Sequence, residues 1–575
     1  MQLGKIIKIN KKYKLKNFNN VQFHSKLCQK NDLFIAIKGE KQNGNYYIKD
    51  AIKNNAKTIV SSNKFEGFKN GVLYIYNKNP RKFLAEITSK IYKSKPDNLF
   101  AVTGTNGKSS IANFYHQILT LNKKKVASFG TLGVKVENKT YNSNNTTLDS
   151  LQINKYLEKI KKKNINNVIL EASSHGLKQN RLDFLEFNLG IFTNLSRDHL
   201  DYHKTYKEYL NSKLILFKSL MKKNSKIIFR DDIIQKNILF KICKKNNLTP
   251  ITIGGKNSTI NILEHYYNEN KQYVSFKFKK EVYNFETKLI GKFQIINLLM
   301  AIIAAVETNI PLKNVLKIIK KIKPVNGRME EVGKLKNLSK IILDYAHTPD
   351  ALEASLKSIK NQFKKHKINI VFGCGGERDK PKRKIMGKIA NKYCDQIFLT
   401  DDNPRNENPK IIRNQIKKYI KKKKLNEIPS RKKAISSSIK KIKSNEILLV
   451  AGKGHENYQE YKKKNLFSDK KCIKENIKIK NKQLSTNWKL NVINEHLDKN
   501  KKINNKTTIK NASINSKKIL KNDIFIGLKG RKHNGDKFAN MAIKNGASIA
   551  IVENNYGVRN KKKIKLKDSY EFFRK

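Results

Sequence analysis

The run Gly104-Thr105-Asn106-Gly107-Lys108-Ser109 gathers residue types suited to holding phosphate. Its glycines let the backbone turn tightly and present N–H groups. A helix N-terminus behind it adds partial positive charge, Lys108 can neutralise phosphate oxygens, and the Ser109 hydroxyl can reach a magnesium ion. The run is shorter than the general pattern G-x-x-x-x-G-K-[ST], because Val102 stands where the first glycine belongs. A second chemical position is Glu171, the last residue of the apolar run NVILE. An ionised carboxylate at a buried strand end is costly unless it meets a cation. Asp402-Asn403-Pro404-Arg405 supplies a guanidinium fork suited to a planar carboxylate, although DNPR as bare sequence is an ordinary turn. Taken alone, His199 reads as a satisfied surface or core histidine and Lys213 as one solvated lysine among many.

These residues need rigid supports. NLFAVTGTNGKSSIANFYHQIL reads as strand, Gly-rich turn and helix, and NVILEASSHG as another buried strand ending in polar residues. After Arg328 the pattern restarts with IILDYAHTPD, INIVFGCGGERD, QIFLTDDNP and EILLVAGKGHE, each an apolar strand ending in a polar or Gly-rich loop. Ligands of open α/β sheets bind beyond the carboxyl ends of such strands, so a second α/β domain with chemistry on its loops is expected. The 36 residues from Ser25 align without gaps to those from Ser516, with about half the positions identical. One small α/β unit therefore occurs at both ends of the chain.

A chain of 575 residues exceeds the usual domain length severalfold. Its formal charge of +76 suggests nucleic acid, but the basic residues are mostly Lys, spread evenly among abundant Asn and Ile, with no arm that concentrates them. That is a compositional bias rather than a binding stripe, though it would attract anionic substrates. The five cysteines are widely separated with no C-x-x-C pair, which indicates neither zinc nor disulfides. No apolar run is long enough to span a bilayer, so a cytoplasmic protein is expected.

T-G-T-N-G-K is the form of phosphate loop seen in Mur ligases and folylpolyglutamate synthases. Further stretches follow in the order of the Mur ligases: NNTTLD from Asn144, EASSHGL from Glu171, NLSRDHLDYH from Asn194, YLNSK from Tyr209, GKFQIIN from Gly291, GRMEEV from Gly327, DYAHTPD from Asp344 and DNPR. On these residues the chain resembles the Mur ligase family over residues 20–470, and its DNPR is similar to that of the members adding meso-diaminopimelate. The resemblance implies an α/β, three-domain Mur ligase architecture: a small α/β UDP-binding domain (1–97), a central P-loop ATPase domain (98–325) and a C-terminal Rossmann-like amino-acid-binding domain (326–475). A linker and a partial repeat of the N-terminal domain type occupy 476–575. It further implies a monomeric ATP-dependent ligase of peptidoglycan precursor synthesis, using ATP, two Mg2+, a UDP-muramoyl dipeptide and meso-diaminopimelate, without nucleic acid.

Residue by residue, the resemblance places Gly104, Thr105, Asn106, Gly107, Lys108, Ser109, Ser110, Asn297, Asp344 and His347 on ATP. It places Phe23, Ser25, Glu40, Lys41, Gln42, Asn145, Thr146, Thr147, Ser173, Gln179 and Arg181 on the UDP substrate, and Arg378, Asp402, Asn403, Pro404, Arg405, Gly452 and Glu456 on diaminopimelate. Ser109, Glu171, His199 and Lys213 match metal ligands, Lys213 as a carbamate (N6-carboxylysine), and Lys108, Lys213, His199 and Arg328 match the catalytic set. The chain departs from the family with Lys26 after Ser25 where Arg is usual, Asn43 before Gly44 where Asp is usual, and Gln294 in place of Asn. Other readings stand beside this one: a lysine-adding Mur ligase, although those lack the DNPR arginine; a folylpolyglutamate synthase, which lacks the N-terminal domain; and a basic binder of nucleic acid or anionic membranes. The terminal repeat resembles the first domain of the D-alanyl-D-alanine-adding ligase and reads either as part of a fused second ligase or as an accessory module.

Overall fold

The computed structural model describes residues 1–574 apart from 40–41, 144, 269, 485–487, 498–501, 504–506, 508, 531–532, 558–559 and 561. Its contacts divide the chain into two units: residues 1–329 with 346–364 and 377–386, and residues 330–345 with 365–376 and 387–575. The division cuts through residues 326–475. Helix Pro349–Gln362 joins the first unit, where Gln362 Oε1 accepts a hydrogen bond from Gly291 N at 3.2 Å.

In the first unit a five-stranded sheet runs in the order Val21–Gln22, Leu33–Ile35, Thr58–Ser61, Val72–Tyr76, Gly67–Lys69, with only the last pair antiparallel. Helix Pro80–Ile91 covers it, begun by Asn79, whose side chain accepts from Lys82 N, and by Pro80 in the first turn, where a missing N–H costs nothing. The second sheet has eleven strands around the parallel set Met221–Arg230, Phe187–Phe192, Asn98–Thr103, Asn167–Glu171, Val126–Gly130, in that spatial order. Both faces of this set are buried, one under helices Lys108–Leu121 and Lys292–Val306, the other under Ser150–Lys162 and Tyr206–Ser219. Hence its inner strands Asn98–Thr103 and Asn167–Glu171 read as nearly unbroken apolar runs rather than alternating ones. From Asn98–Thr103 the chain goes out to Val126–Gly130 on one side, then returns through Asn167–Glu171 to Phe187–Phe192 on the other. Such a reversal opens a crevice at the carboxyl ends.

The second unit holds a six-stranded sheet ordered Glu330–Lys334, Lys340–Asp344, Ile447–Ala451, Ile368–Phe372, Gln396–Leu399, Leu425–Glu427, parallel except for its first strand. A separate four-stranded parallel sheet lies at Ala512–Ser513, Ile524–Ile526, Ile549–Val552 and Lys563–Lys565. The repeat inferred from sequence is repeated in detail. Val21 pairs with Leu33 as Ala512 pairs with Ile524. Asp32 accepts from Asn20 N and Gln29 N just as Asp523 accepts from Asn511 N and Leu520 N. Among the described residues no helix is long and apolar enough to cross a membrane.

Candidate active site

Strand Asn98–Thr103 delivers the phosphate loop and helix Lys108–Leu121 carries it away. Gly104 has φ +144° and a Cβ there would sit 1.9 Å from Thr193 Oγ1; Gly107 has φ +92° and its Cβ would sit 2.7 Å from Asn297 Oδ1. Only glycine fits either place, and the second contact puts Asn297 against the loop. Thr193 and the NLSRDH segment after it clamp the other side: Thr193 Oγ1 donates to Asn106 O (2.6 Å), Asn106 N to Asn194 Oδ1 (3.0 Å) and Thr105 N to Asn194 O (2.9 Å). Lys108 Nζ donates to Gly104 O (2.8 Å) and Thr105 O (2.9 Å), and Lys213 Nζ to Gly104 O (2.7 Å). Lys213 is 1% exposed. Burial, then the charge of Lys108, press its pKa well below the usual lysine value against the opposing pull of Asp198. Lys108 is lowered by enclosure and by Arg328, with Glu171 and Asp198 pulling the other way. Ser110 is buried in the first turn of the same helix.

Glu171 ties the loop to its neighbours. Ser109 Oγ donates to its Oε2 at 2.9 Å, Thr131 N to Oε1 at 3.0 Å and Thr131 Oγ1 to Oε2 at 3.1 Å. Behind it, Thr147 Oγ1 donates to Glu171 O (2.7 Å) and lies 2.9 Å from Ser173 Oγ, while Thr131 Oγ1 lies 3.0 Å from Thr146 Oγ1. Arg181 Nη1 donates to Thr147 O (2.6 Å), and its Nε and Nη2 to Gln179 Oε1 (3.1 and 2.7 Å). Thr146, Thr147, Ser173 and Arg181, all matched to the UDP substrate, thus sit within one or two hydrogen bonds of Glu171, Thr146 through its carboxylate and the others through its main-chain carbonyl. A buried carboxylate beside a hydroxyl is a hard oxygen donor set of the kind magnesium takes. Among the described residues no three His, Cys, Asp or Glu side chains are grouped to hold a metal by themselves, so a cation here would also need phosphate oxygens.

His199 has φ +53°, and its ring lies 4.9 Å from that of His175 and 6.1 Å from that of Tyr209, with Nε2 3.4 Å from Asp198 Oδ2. Burial first, then the charges of His175, Lys213 and Lys108, lower its pKa to about 3 against Asp198. The neutral imidazole can act as a ligand. Asp198, absent from the motif-based set although NLSRDH contains it, also lies 3.8 Å from His347 Nε2. Burial alone would raise its pKa; the hydrogen bond from His347 and the charges of His199, His347 and Lys382 hold it well below the carboxylate range.

A cavity of about 960 Å³ is lined by Phe23, Ser25, Gln42, Asn145, Gln179 and Arg181, which brings together residues from both ends of the motif list. Glu40 and Lys41 lie outside the described residues. The cavity also exposes His24, Arg81 and Asp149, which motif matching missed. Arg81 Nη2 donates to Lys38 O at 3.1 Å and its Nη1 lies 3.5 Å from Gln179 Oε1. The one sequence signal for it is an Arg just inside the Asn-Pro start of a helix.

In the second unit Asp344 ends strand Lys340–Asp344 and accepts from Gly452 N at 3.1 Å. Asn403 Nδ2 donates to Glu456 Oε2 (3.1 Å), and Lys453 Nζ donates to Asn403 Oδ1 and Glu456 Oε2, both at 2.9 Å. Lys453, wholly buried, is a further residue the motif reading passed over inside AGKGHE. Arg405, at φ +55°, donates through Nη1 to Gly376 O (2.6 Å), and its Nε lies 3.3 Å from Glu460 Oε2. Pro404 is buried between them in the sequence. Arg378 belongs to the first unit, where its Nη1 donates to Asp201 Oδ2 at 2.8 Å. Arg328 lies in the first unit too, close enough to Lys108 to lower its pKa.

Phosphate loop, doubly covered parallel sheet and second strand-end site define a multidomain α/β nucleotide-dependent ligase, and comparison with known proteins agrees. Residues 102–305 match the Mur ligase middle domain and residues 327–454 the Mur ligase glutamate ligase domain. The chain belongs to the Mur ligase family of ATP-dependent ligases. It is 41% identical over 468 residues to the UDP-N-acetylmuramoyl-L-alanyl-D-glutamate--2,6-diaminopimelate ligase of Rickettsia montanensis, covering 80% of this chain and 96% of the relative. To the ligase of the same description from Buchnera aphidicola subsp. Schizaphis graminum it is 40% identical, covering 80% and 95%. A solved structure of such a diaminopimelate ligase superposes with a TM-score of 0.61 at 28% identity, over 83% of this chain and 99% of that one.

Proposed function

We propose that this ligase joins meso-diaminopimelate to the D-glutamate γ-carboxylate of UDP-N-acetylmuramoyl-L-alanyl-D-glutamate, with cleavage of ATP to ADP and phosphate. The observation that carries it is the identity of 41% across 96% of a diaminopimelate ligase, in a chain whose Arg405 occupies the loop position the amino acid would meet. The organisation in support is the four larger sheets among the described residues, within residues 21–76, 98–287, 330–451 and 512–565. They favour domain boundaries near residues 97, 325 and 475, with the last stretch an added α/β module.

A carboxylate is a poor electrophile, so it first takes the γ-phosphoryl group of ATP. The glutamate oxygen forms a bond to phosphorus, the bond from phosphorus to the ADP oxygen breaks, and an acyl phosphate results. The amine of diaminopimelate then attacks the acyl carbon, loses a proton, and expels phosphate from the tetrahedral intermediate. Lys108, Arg328 and the loop N–H groups hold the phosphate charge, and Asn297, Asp344 and His347 hold the nucleoside. Phe23, Ser25, Gln42 and the cavity seat the uridine end, while Thr146, Thr147, Ser173, Gln179 and Arg181 fix the dipeptide beside Glu171. Magnesium bound through Ser109, Glu171 and His199, with Lys213 as a carbamate, would neutralise phosphoryl oxygens; two such ions are proposed. Carbamylation needs an unprotonated amine, a form that the downward pull of burial and of Lys108 on the Lys213 pKa favours. Asp402, Asn403, Arg405, Gly452 and Glu456, with Arg378, receive diaminopimelate, Arg405 meeting its distal carboxylate. The setting is the cytoplasm and the working form a monomer.

The test is ADP release by the purified chain with ATP, Mg2+ and the muramoyl dipeptide, offering meso-diaminopimelate, L-lysine or D-alanyl-D-alanine in parallel. Turnover with diaminopimelate alone is expected. Turnover with lysine would overturn the role of Arg405, and none with any amine would overturn the assignment.

A further inference from the structure

The residues Asp401 and Asp402 follow strand Gln396–Leu399, and a buried arginine from a different helix meets each of them. Arg413, of helix Pro409–Lys417, donates to Asp401 Oδ1 and to Glu427 Oε1. Arg431 opens helix Arg431–Lys441, and its side chain is fully buried. Its Nε and Nη2 form a fork with Asp469 at 2.8 and 2.7 Å, and Nη2 also donates to Ala451 O at 2.9 Å. The remaining nitrogen, Nη1, stands 3.8 Å from Asp402 Oδ2. Both of these atoms are buried, and neither makes a hydrogen bond within the protein.

This arrangement is costly as packing alone. A cation in the first turn of a helix opposes the helix dipole, and a buried acceptor without a donor loses its hydration for nothing in return. Gly452 has φ +113°, and a Cβ there would lie 2.6 Å from Asp402 Oδ2. Backbone and guanidinium therefore confine this oxygen from two sides while leaving it without a hydrogen-bond donor. At 3.8 Å Arg431 sets its guanidinium beside the carboxylate without donating to it. What Oδ2 lacks is a donor, and a substrate ammonium group carries three.

We propose that Arg431 is a positioning residue of the amino-acid site: anchored on Asp469 and Ala451, it holds Asp402 in place to receive an ammonium group of the incoming amino acid. The inference rests on the assignment of Asp402 to that substrate. Arg431 does not touch the substrate itself; it acts through Asp402.

The test uses the full chain with Arg431→Lys, which keeps the charge but loses the fork, and Asp469→Asn, which keeps the shape but weakens the anchor. Initial rates of ADP release are measured while each of the three substrates is varied. For both variants the KM for meso-diaminopimelate is expected to rise roughly tenfold or more, with the KM values for ATP and the muramoyl dipeptide within about twofold of the parent. A merely structural role would lower melting temperature and active fraction without selecting one KM. Should Arg431→Lys fail to fold, the milder Asp469→Asn decides the matter. A folded variant with an unchanged KM for diaminopimelate overturns the inference, as does a uniform loss across all three substrates. Failure of the parent chain to use diaminopimelate would instead overturn the functional assignment.

Discussion

Replacing Gly130 by alanine would displace Glu171 without touching it chemically. Gly130 ends strand Val126–Gly130 and its φ lies outside the left-handed region, so the backbone accepts alanine freely. The new Cβ, however, would stand 2.0 Å from Glu171 Oε1 and 2.5 Å from Cδ. Ordinary contact begins near 3.4 Å, so the carboxylate must withdraw by about 1.4 Å, the difference between 3.4 and 2.0 Å. Its bonds from Thr131 N, Thr131 Oγ1 and Ser109 Oγ, at 2.9 to 3.1 Å, cannot all survive that shift. Hydrogen bonds to a charged group are worth about 1.5–3 kcal/mol each, so losing one or two costs about 2–5 kcal/mol of stability. If the same carboxylate organises the phosphoryl site, a loss of about 2.7 kcal/mol there slows turnover about 100-fold. Urea unfolding and ADP release measure the two effects. Gly255→Ala, with nothing within 4 Å of the new Cβ, is the neutral control. In a Glu171→Ala background Gly130→Ala should cost almost nothing further, because its obstacle is gone. Additive losses in that cycle, or a Gly130→Ala protein as stable and active as its parent, would refute the reasoning.

Three other outcomes follow from the geometry. Gly107→Ala places Cβ 2.7 Å from Asn297 Oδ1 at φ +92°; nucleotide Kd by calorimetry should rise roughly tenfold or more, with binding of the muramoyl dipeptide unchanged. Arg81→Ala removes a cation from the 960 Å³ cavity, so KM for the UDP substrate should rise several-fold and most at low salt, and an unchanged salt dependence would remove Arg81 from the site. His116 is fully buried between Ser128 and Glu137 O, and burial followed by Lys135 lowers its pKa to about 4. Between the unfolded value near 6.5 and about 4 the unfolded chain holds a proton that the folded chain refuses. Stability therefore falls as pH drops through that window, by roughly 3 kcal/mol, and urea titrations should show this slope reduced in His116→Gln.

Much of the site was legible because its signals are local. A Gly-rich turn between strand and helix, or a carboxylate closing an apolar run, can be read within ten residues, and the terminal repeat announced itself by self-similarity. Arg81, Lys453 and Arg431 were not legible in the same way. Arg81 reaches Gln179, and Arg431 joins Asp402 and Asp469; no periodicity connects residues so far apart. Composition concealed them further, since 122 Lys and Arg leave no single cation conspicuous. Domain limits follow where strands restart, but helix Pro349–Gln362 groups with the first unit, where Gln362 accepts from Gly291 N, a tertiary preference that no strand pattern encodes.

Burial separates the working basic residues from the solvated majority. Lys213 is 1% exposed, Lys453 0% and Arg431 1%, and taking such a side chain out of water is unfavourable unless specific partners replace it. Each has such partners: Gly104 O for Lys213, Asn403 and Glu456 for Lys453, Asp469 and Ala451 for Arg431. Gly104, Asn403 and Glu456 are themselves matched to ATP or the amino acid, Ala451 ends a strand next to Gly452, and Asp469 opens helix Asp469–Gln483. The surface lysines can vary with the compositional drift of the whole sequence, because solvent treats them alike. The three buried residues cannot, since each is held by its own set of acceptors. In a chain carrying +76, the basic residues singled out by burial are therefore the few that the fold has removed from water.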